Sequence, residues 1–228
     1  DIARANIWLR CAGRVHIKMA EFKALSFEDL FQGTKAVEWE DFIPLDGKFT
    51  VVGKSVKSKL FSVSDCQAIV KKAVVERMKT KYHVDWFDET GAEYTIQVAL
   101  LNDTATLTID SSGSGLHKRG YRANAMTAPL KESLAAAMVE LSYWNKDRIL
   151  LDPLCGSGTI PIEAALIARN IAPGLNRSFS AEGWDNIIGR DIWKKVRVDA
   201  YKKIDYDCMP KIYGSDLDAE AIELAKDN

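Results

Sequence analysis

Leu151-Asp152-Pro153-Leu154-Cys155-Gly156-Ser157-Gly158-Thr159 is the stretch on which the fold turns. The residues before it, Arg148-Ile149-Leu150-Leu151-Asp152, form a short, mostly apolar run of the kind that makes a buried parallel strand. After it, Thr159 to about Arg169 has the composition of a helix. An acid closing a strand, two spaced glycines and a following helix place a loop at the edge where open α/β sheets bind ligands. Glycines there let the backbone approach a ligand, and the helix start offers unpaired N–H groups. Three ligand classes compete for such a loop. An NTP-binding loop needs Lys and Ser or Thr directly after the last glycine, and no Lys follows Gly158. A dinucleotide loop needs Gly or Ala where this chain has Pro161. The pattern that fits is that of S-adenosylmethionine (SAM), whose amine and ribose diol are both read by carboxylates. Asp152 then accepts from the amine, Gly156 and Gly158 clear space, and Pro153, Cys155, Ser157 and Thr159 complete the loop wall. The second acid is Asp216, with Asp218 beside it, after the strand expected at Lys211 to Ser215. Each hydrogen bond to a charged group contributes about 1.5–3 kcal/mol. A purely structural reading competes for Asp216 and Asp218, because Asp is a frequent helix N-cap.

Outward from the loop, the C-terminal part alternates helix and strand. Pro129 suits a first helical position, with Leu130, Leu134, Ala137, Met138 and Leu141 on one face. A second helix is expected near Arg190 to Lys203 and a third from Asp218, which makes a parallel crossover in an open sheet. The N-terminal part reads differently. Ile7, Leu9 and Cys11, then Val15, Ile17 and Met19, alternate as a hairpin turning at Ala12-Gly13. Ser26 ahead of Phe27, Leu30 and Phe31, with Asp29 in the first turn, predicts a capped helix. Thr50 to Val52 predicts a strand. Ile69, Val70, Ala73 and Val74 predict an amphipathic helix from Ser64-Asp65. Tyr94 to Leu101 and Thr104 to Asp110 predict strands joined at Asn102-Asp103. Ser111 to Gly115 is linker-like.

The chain has 228 residues, 47% of them hydrophobic, and a formal charge of -1, which excludes disorder and collagen-like structure. No apolar run reaches the roughly 18 to 20 residues that span a bilayer, so a cytoplasmic location is expected. Cys11, Cys66, Cys155 and Cys208 lie far apart, and neither they nor His16, His83 and His117 show metal-ligand spacing. No metal is expected. Trp184 and Trp193 read as packing anchors. The near-neutral total hides an asymmetry. Residues 48–81 hold nine bases against two acids, a net +7, so the remainder carries -8. Lys54, Lys57, Lys59, Lys71 and Lys72 in that stretch are candidate phosphate contacts. Lys118, Arg119 and Arg122, in the basic run His117-Lys118-Arg119-Gly120-Tyr121-Arg122, are further candidates.

The order of a basic α+β module, H-K-R-G-Y-R, A-P-L-K-E-S-L-A-A-A (Ala128 to Ala137) and L-D-P-L-C-G-S-G-T-I-P-I-E-A-A (Leu151 to Ala165) resembles the THUMP-domain RNA methyltransferases. Asn176 to Trp184 resembles that family's insertion between the first helix and the second strand. Within it, the chain is most similar to bacterial enzymes that methylate guanine N2 of large-subunit ribosomal RNA, some of which also carry the label adenine-N6 DNA methylase. The resemblance implies an α/β chain: an α+β ferredoxin-like and THUMP N-terminal region, then the first part of a Rossmann-like SAM-dependent methyltransferase domain. Implied boundaries are 1–48 for a partial ferredoxin-like unit, 49–112 for a THUMP module that binds RNA, 113–128 for a linker and 129–228 for an incomplete methyltransferase domain. The family's catalytic [DN]-P-P-[YF] loop is absent from this sequence, whose six prolines are never adjacent. The chain is therefore expected to be an interior slice of a longer enzyme, with no catalytic residue of its own. The competing class is a non-catalytic RNA-binding or assembly factor that retains the fold.

Overall fold

The computed structural model describes residues 1–122 and 129–228. Ala123 to Ala128, which hold the end of the expected linker and the first residue of the A-P-L-K-E-S-L stretch, lie outside the described residues. Contacts divide the chain into two compact units.

One unit comprises residues 15–113 and 179–189. Its strands β1 (His16–Lys23), β2 (Lys48–Val56), β3 (Glu93–Leu101) and β4 (Thr104–Asp110) form a sheet in the order β1-β4-β3-β2. The β3–β4 pair is the expected antiparallel hairpin. Asn102 and Asp103 both adopt positive φ, 49° and 61°, as a two-residue turn matched to strand twist requires. β2 runs parallel to β3, and helix α3 (Val63–Tyr82) makes the crossover. Alternate residues of β3 (Tyr94, Ile96, Val98, Leu100) and of β4 (Ala105, Leu107, Ile109) are fully buried. The buried stripe of α3, Cys66, Val70, Ala73, Val74 and Met78, belongs to the same core, and helix α2 (Phe27–Lys35) packs beside α3. Burying each large side chain contributes about 1.5–3 kcal/mol. α2 starts as its sequence predicts. The Asp29 N–H donates to Ser26 Oγ at 3.1 Å and the Ser26 N–H to Asp29 Oδ2 at 2.9 Å, a complete capping box.

The expected hairpin of residues 7–19 does not form. Ile2–Trp8 is a helix, α1, because Ala3, Asn6 and Ile7 recur at helical spacing and are the residues buried, whereas Leu9 is 43% exposed. Strand β1 begins at His16 and pairs with β4, with a register shift between Lys18 and Ala20.

The segment 179–189, part of the insertion before the second strand of the loop unit, belongs by contacts to this sheet. Trp184 is fully buried, stacked on Tyr94 at 4.9 Å between centroids, and its indole N–H donates to the Glu93 carbonyl at 2.9 Å.

The other unit comprises residues 1–14, 114–178 and 190–228. Here α1 packs on α6 (Arg190–Tyr201), and α4 (Glu132–Leu141) packs on α5 (Thr159–Ala168). Strands β5 (Leu150–Asp152) and β6 (Ile212–Gly214) pair in parallel, and α7 (Ala219–Asp227) follows β6. The β5–α5–β6 order is the expected parallel crossover. Two readings are corrected. β5 is shorter than Arg148–Asp152 and is not enclosed, with Leu151 66% exposed, because enclosure needs cover on both faces and this sheet has two strands among the described residues. α4 begins at Glu132 rather than Pro129 and buries Ala135, Ala136 and Val139. The face expected inside, Leu134, Met138 and Leu141, is exposed, because small alanines allow the close approach to α5.

Candidate functional site

The glycine loop is tied to the end of β6 by backbone bonds. The Ser215 N–H donates to the Asp152 carbonyl and the Cys155 N–H to the Ser215 carbonyl, both at 2.9 Å. Asp152 folds the loop on itself by accepting from the Leu154 N–H at 3.1 Å. Gly158 caps α5 with φ +80°, and a Cβ there would meet the Ala225 Cβ at 3.2 Å, so two constraints call for glycine. Gly156 has φ +51°, and a Cβ at that position would touch nothing within 4 Å.

The second acid meets the loop directly. Asp216 Oδ2 accepts from the Gly156 N–H at 2.8 Å, while Oδ1 accepts from the Asp218 N–H at 3.1 Å. The Asp218 and Gly156 N–H bonds hold the Asp216 carboxyl below the usual Asp range, so it is an anion at neutral pH. Asp218 is the N-cap of α7 and accepts from the Glu220 N–H at 2.9 Å, which is the structural role that competes with ligand binding. Ser157 and Thr159 are buried. Cys155 is buried too, and burial, then the nearby charges of Asp152 and Asp216, push its thiol pKa up, so the residue is packing and not a nucleophile. Asp152, Gly156, Gly158, Asp216 and Asp218 thus gather at the paired ends of β5 and β6.

The basic candidates divide. Lys54, Lys57, Lys59, Lys71, Lys72 and Lys118 are exposed. Gly53 faces the Gln67 and Val63 side chains of α3, so Lys54, next along β2, lies on the opposite face of the sheet. Lys71 and Lys72 sit on α3, each with its Nζ under 6 Å from an aromatic ring, Phe49 and Phe31 respectively. Lys54 therefore does not converge with them on one surface. Two other bases of the stretch are neutralised, Lys48 by Glu93 and Arg77 by Glu40.

Arg119 and Arg122 turn inward, against their expected role as contacts to nucleic acid. Arg119 is 3% exposed, and its guanidinium donates to Glu163 Oε1 at 3.2 Å, to the Leu116 carbonyl at 2.7 Å and to the Arg10 carbonyl. The Tyr121 hydroxyl also points at Glu163, 3.5 Å away, and burial drives that hydroxyl's pKa upward. Arg122 Nη2 donates to Thr159 Oγ1 at 2.7 Å, and its Nη1 lies 3.5 Å from Glu132. A basic run in sequence is thus, in space, a set of braces on the first helical turns behind the glycine loop. Glu163 went unnoticed in the sequence, yet a lone acid inside Thr159-Ile-Pro-Ile-Glu-Ala-Ala-Leu-Ile-Ala168 signals a buried partner.

The THUMP domain profile matches residues 24–110, and a profile described as RMKL-like, methyltransferase domain, matches residues 119–228. Among curated proteins, the Bacillus subtilis protein named "Putative RNA methyltransferase YpsC" is 55% identical over 229 residues, covering 100% of this chain and 59% of that protein. "Ribosomal RNA large subunit methyltransferase K/L" of Psychromonas ingrahamii is 36% identical over 232 residues, 97% of this chain and 30% of that protein. Among solved structures, "SMU.472, a putative methyltransferase complexed with SAH" matches with a TM-score of 0.93 at 44% identity, covering 99% of this chain and 60% of that one. The chain spans about three fifths of the length of the first of these relatives.

Proposed function

The chain belongs to the family that joins a THUMP domain to an RMKL-like methyltransferase domain, and from that premise we propose that its protein is a SAM-dependent RNA methyltransferase acting on an exocyclic base amine. The finer assignment, guanine N2 in ribosomal RNA, follows the name of the Psychromonas relative and the motif resemblance. The observation that carries the reading is the hydrogen bond from the Gly156 N–H to Asp216, which joins the glycine loop and the second strand-end acid in one site across a parallel pair.

The residues suit the cofactor. The open space before Gly156 admits a ligand against bare backbone. Asp152 is the acceptor for the amine and Asp216, with Asp218, the acceptor for the ribose hydroxyls. Pro153, Cys155, Ser157, Gly158 and Thr159 form the wall. When bound, SAM supplies an electrophilic methyl group on a sulfonium. The protein's contribution is to hold that methyl in line with the base amine, since alignment of two reactants lowers a displacement barrier. The group that accepts the amine proton is assigned to a [DN]-P-P-[YF] loop outside these residues. Lys54, Lys57, Lys59, Lys71, Lys72 and Lys118 are assigned to RNA phosphates, within a division that gives 49–112 to RNA and 129–228 to cofactor. No helix among the described residues is long and apolar enough to cross a membrane, and a cytoplasmic enzyme suits a ribosomal substrate.

Calorimetry of SAM binding to the full-length protein tests the assignment. Asp216→Ala is expected to weaken binding at least tenfold, since one charge-assisted hydrogen bond contributes about 1.5–3 kcal/mol and about 1.4 kcal/mol is tenfold. Unchanged affinity removes Asp216 from the cofactor site.

A further inference from the structure

Residues 117–122 and the start of α4 border a cleft of about 440 Å³, lined among others by His117, Lys118, Arg122, Lys131 and Glu132. Its charges do not cancel. Arg122 is paired with Glu132, and Arg119, which also lines the cleft, is paired with Glu163. Lys118 and Lys131 are left over, both exposed and neither in an ion pair among the described residues. His117 stands beside them, its pKa lowered chiefly by burial, so it adds a polar ring rather than a charge at neutral pH.

A second observation points the same way. The Nε–H of Arg122 is buried and has no hydrogen-bond partner. Such an orphan donor costs about 1–3 kcal/mol unless an acceptor reaches it. α4 begins at the same place with no side-chain cap at Lys131, so its first turn adds partial positive charge. Two unpaired ammonium groups, an unsatisfied guanidinium N–H and an uncapped helix start together describe a seat for an anion.

The seat is one hydrogen bond from the loop assigned to the cofactor. Arg122 Nη2 donates to Thr159 Oγ1 at 2.7 Å, and Thr159 directly follows Gly158. Two anions of the reaction have the right chemistry, a backbone phosphate of the RNA strand and the carboxylate of the cofactor's methionine end. The exposure of Lys118 and Lys131 favours the first, because solvent-facing ammonium groups suit a polyanion that stays partly in water. We propose that this cleft binds a backbone phosphate of the RNA strand next to the nucleotide being methylated, with Lys118 and Lys131 neutralising it and Arg122 Nε donating to it. The proposal rests on the RNA methyltransferase reading above and adds to it a place where the strand is held beside the cofactor.

The test titrates a labelled single-stranded RNA oligonucleotide into the full-length protein across about 50 to 200 mM salt, for wild type, Lys118→Ala/Lys131→Ala, and a control, Lys194→Ala/Lys195→Ala, which removes two exposed charges from α6. Each single-strand phosphate neutralised contributes about 0.7 to the slope of log affinity against log salt. The cleft variant is expected to flatten the slope by about 0.7 to 1.4, with the control slope and SAM affinity by calorimetry unchanged. An unaltered slope in the cleft variant, or an equal change in the control, overturns the proposal. So does a loss of SAM affinity in the cleft variant with the RNA slope intact, which would assign the cations to the cofactor. Failure of the wild-type protein to bind RNA at all would instead remove the functional reading on which the proposal stands.

Discussion

Replacing Glu163 tests the brace behind the glycine loop. Its side chain is 0% exposed and that of Arg119 2%, so the pair is wholly removed from water. Arg119 reaches Glu163 with Nε at 3.2 Å and Nη2 at 3.4 Å. Two charge-assisted bonds at about 1.5–3 kcal/mol each give about 3–6 kcal/mol, in line with the roughly 3–5 kcal/mol lost when one member of a buried pair is removed. Arg10 sharpens the effect. Burial lowers its pKa and Glu163 is the largest influence opposing that, so without Glu163 two guanidinium groups face each other uncompensated. Glu163→Gln keeps the shape and an acceptor, and is expected near the lower end, about 3 kcal/mol. Glu163→Leu, with neither charge nor acceptor, belongs at the upper end. The assay is urea unfolding of the full-length protein, with hydrogen exchange on α5 to localise the loss. Arg119→Met combined with Glu163→Leu should be less destabilised than the sum of the singles by several kcal/mol, because no buried charge is left alone. A Glu163→Gln cost below about 1 kcal/mol, or strict additivity in the cycle, would refute the brace.

Further expectations concern single sites in each unit. Trp184→Ala removes a fully buried indole stacked on Tyr94 and should cost about 3–5 kcal/mol in the four-stranded sheet unit, read as lost exchange protection along β3; protection equal to wild type would contradict the anchoring role. Gly158→Ala forces an L-residue to φ +80° against Ala225, and should destabilise the loop by about 1–2 kcal/mol, with a smaller change in urea midpoint counting against the strain argument. Asp216 has a folded pKa below its unfolded value near 3.8, so its contribution is complete above that value and is lost as pH falls through the lower folded one. The stability difference between wild type and Asp216→Asn should accordingly be constant from pH 7 to about 5 and shrink only in the acid limb below about 4; a difference that shrinks near neutrality would contradict the sign.

What the sequence revealed was what local chemistry determines. The Asn102-Asp103 turn, the Ser26 and Asp29 capping box and the strand–loop–helix around Gly156 and Gly158 each need only neighbouring residues, and each formed as read. The misreadings involve partners far along the chain. Residues 7–19 alternate like a hairpin, but β1 pairs with β4, with His16 opposite Asp110, while Ile7 goes with α1 onto α6. The α4 stripe failed because that helix is apolar on more than one face, and only the packing against α5 selects Ala135, Ala136 and Val139. Arg119 and Arg122 read as surface cations because charge in sequence carries no burial, and their acids, Glu163 and Glu132, are 44 and 10 residues away. Of the cofactor candidates, the loop and Asp216 were legible as a motif pair, whereas the bond that unites them depends on strand pairing.

The central claim is methyl transfer from SAM to an RNA base. Full-length protein incubated with methyl-labelled SAM and undermethylated ribosomal RNA, followed by nucleoside analysis, tests it in one step. The account predicts label in the RNA as N2-methylguanosine, abolished by Asp216→Ala. Label appearing as N6-methyladenosine would overturn the guanine assignment, and no transfer to RNA by a protein that still binds SAM would contradict the claim itself.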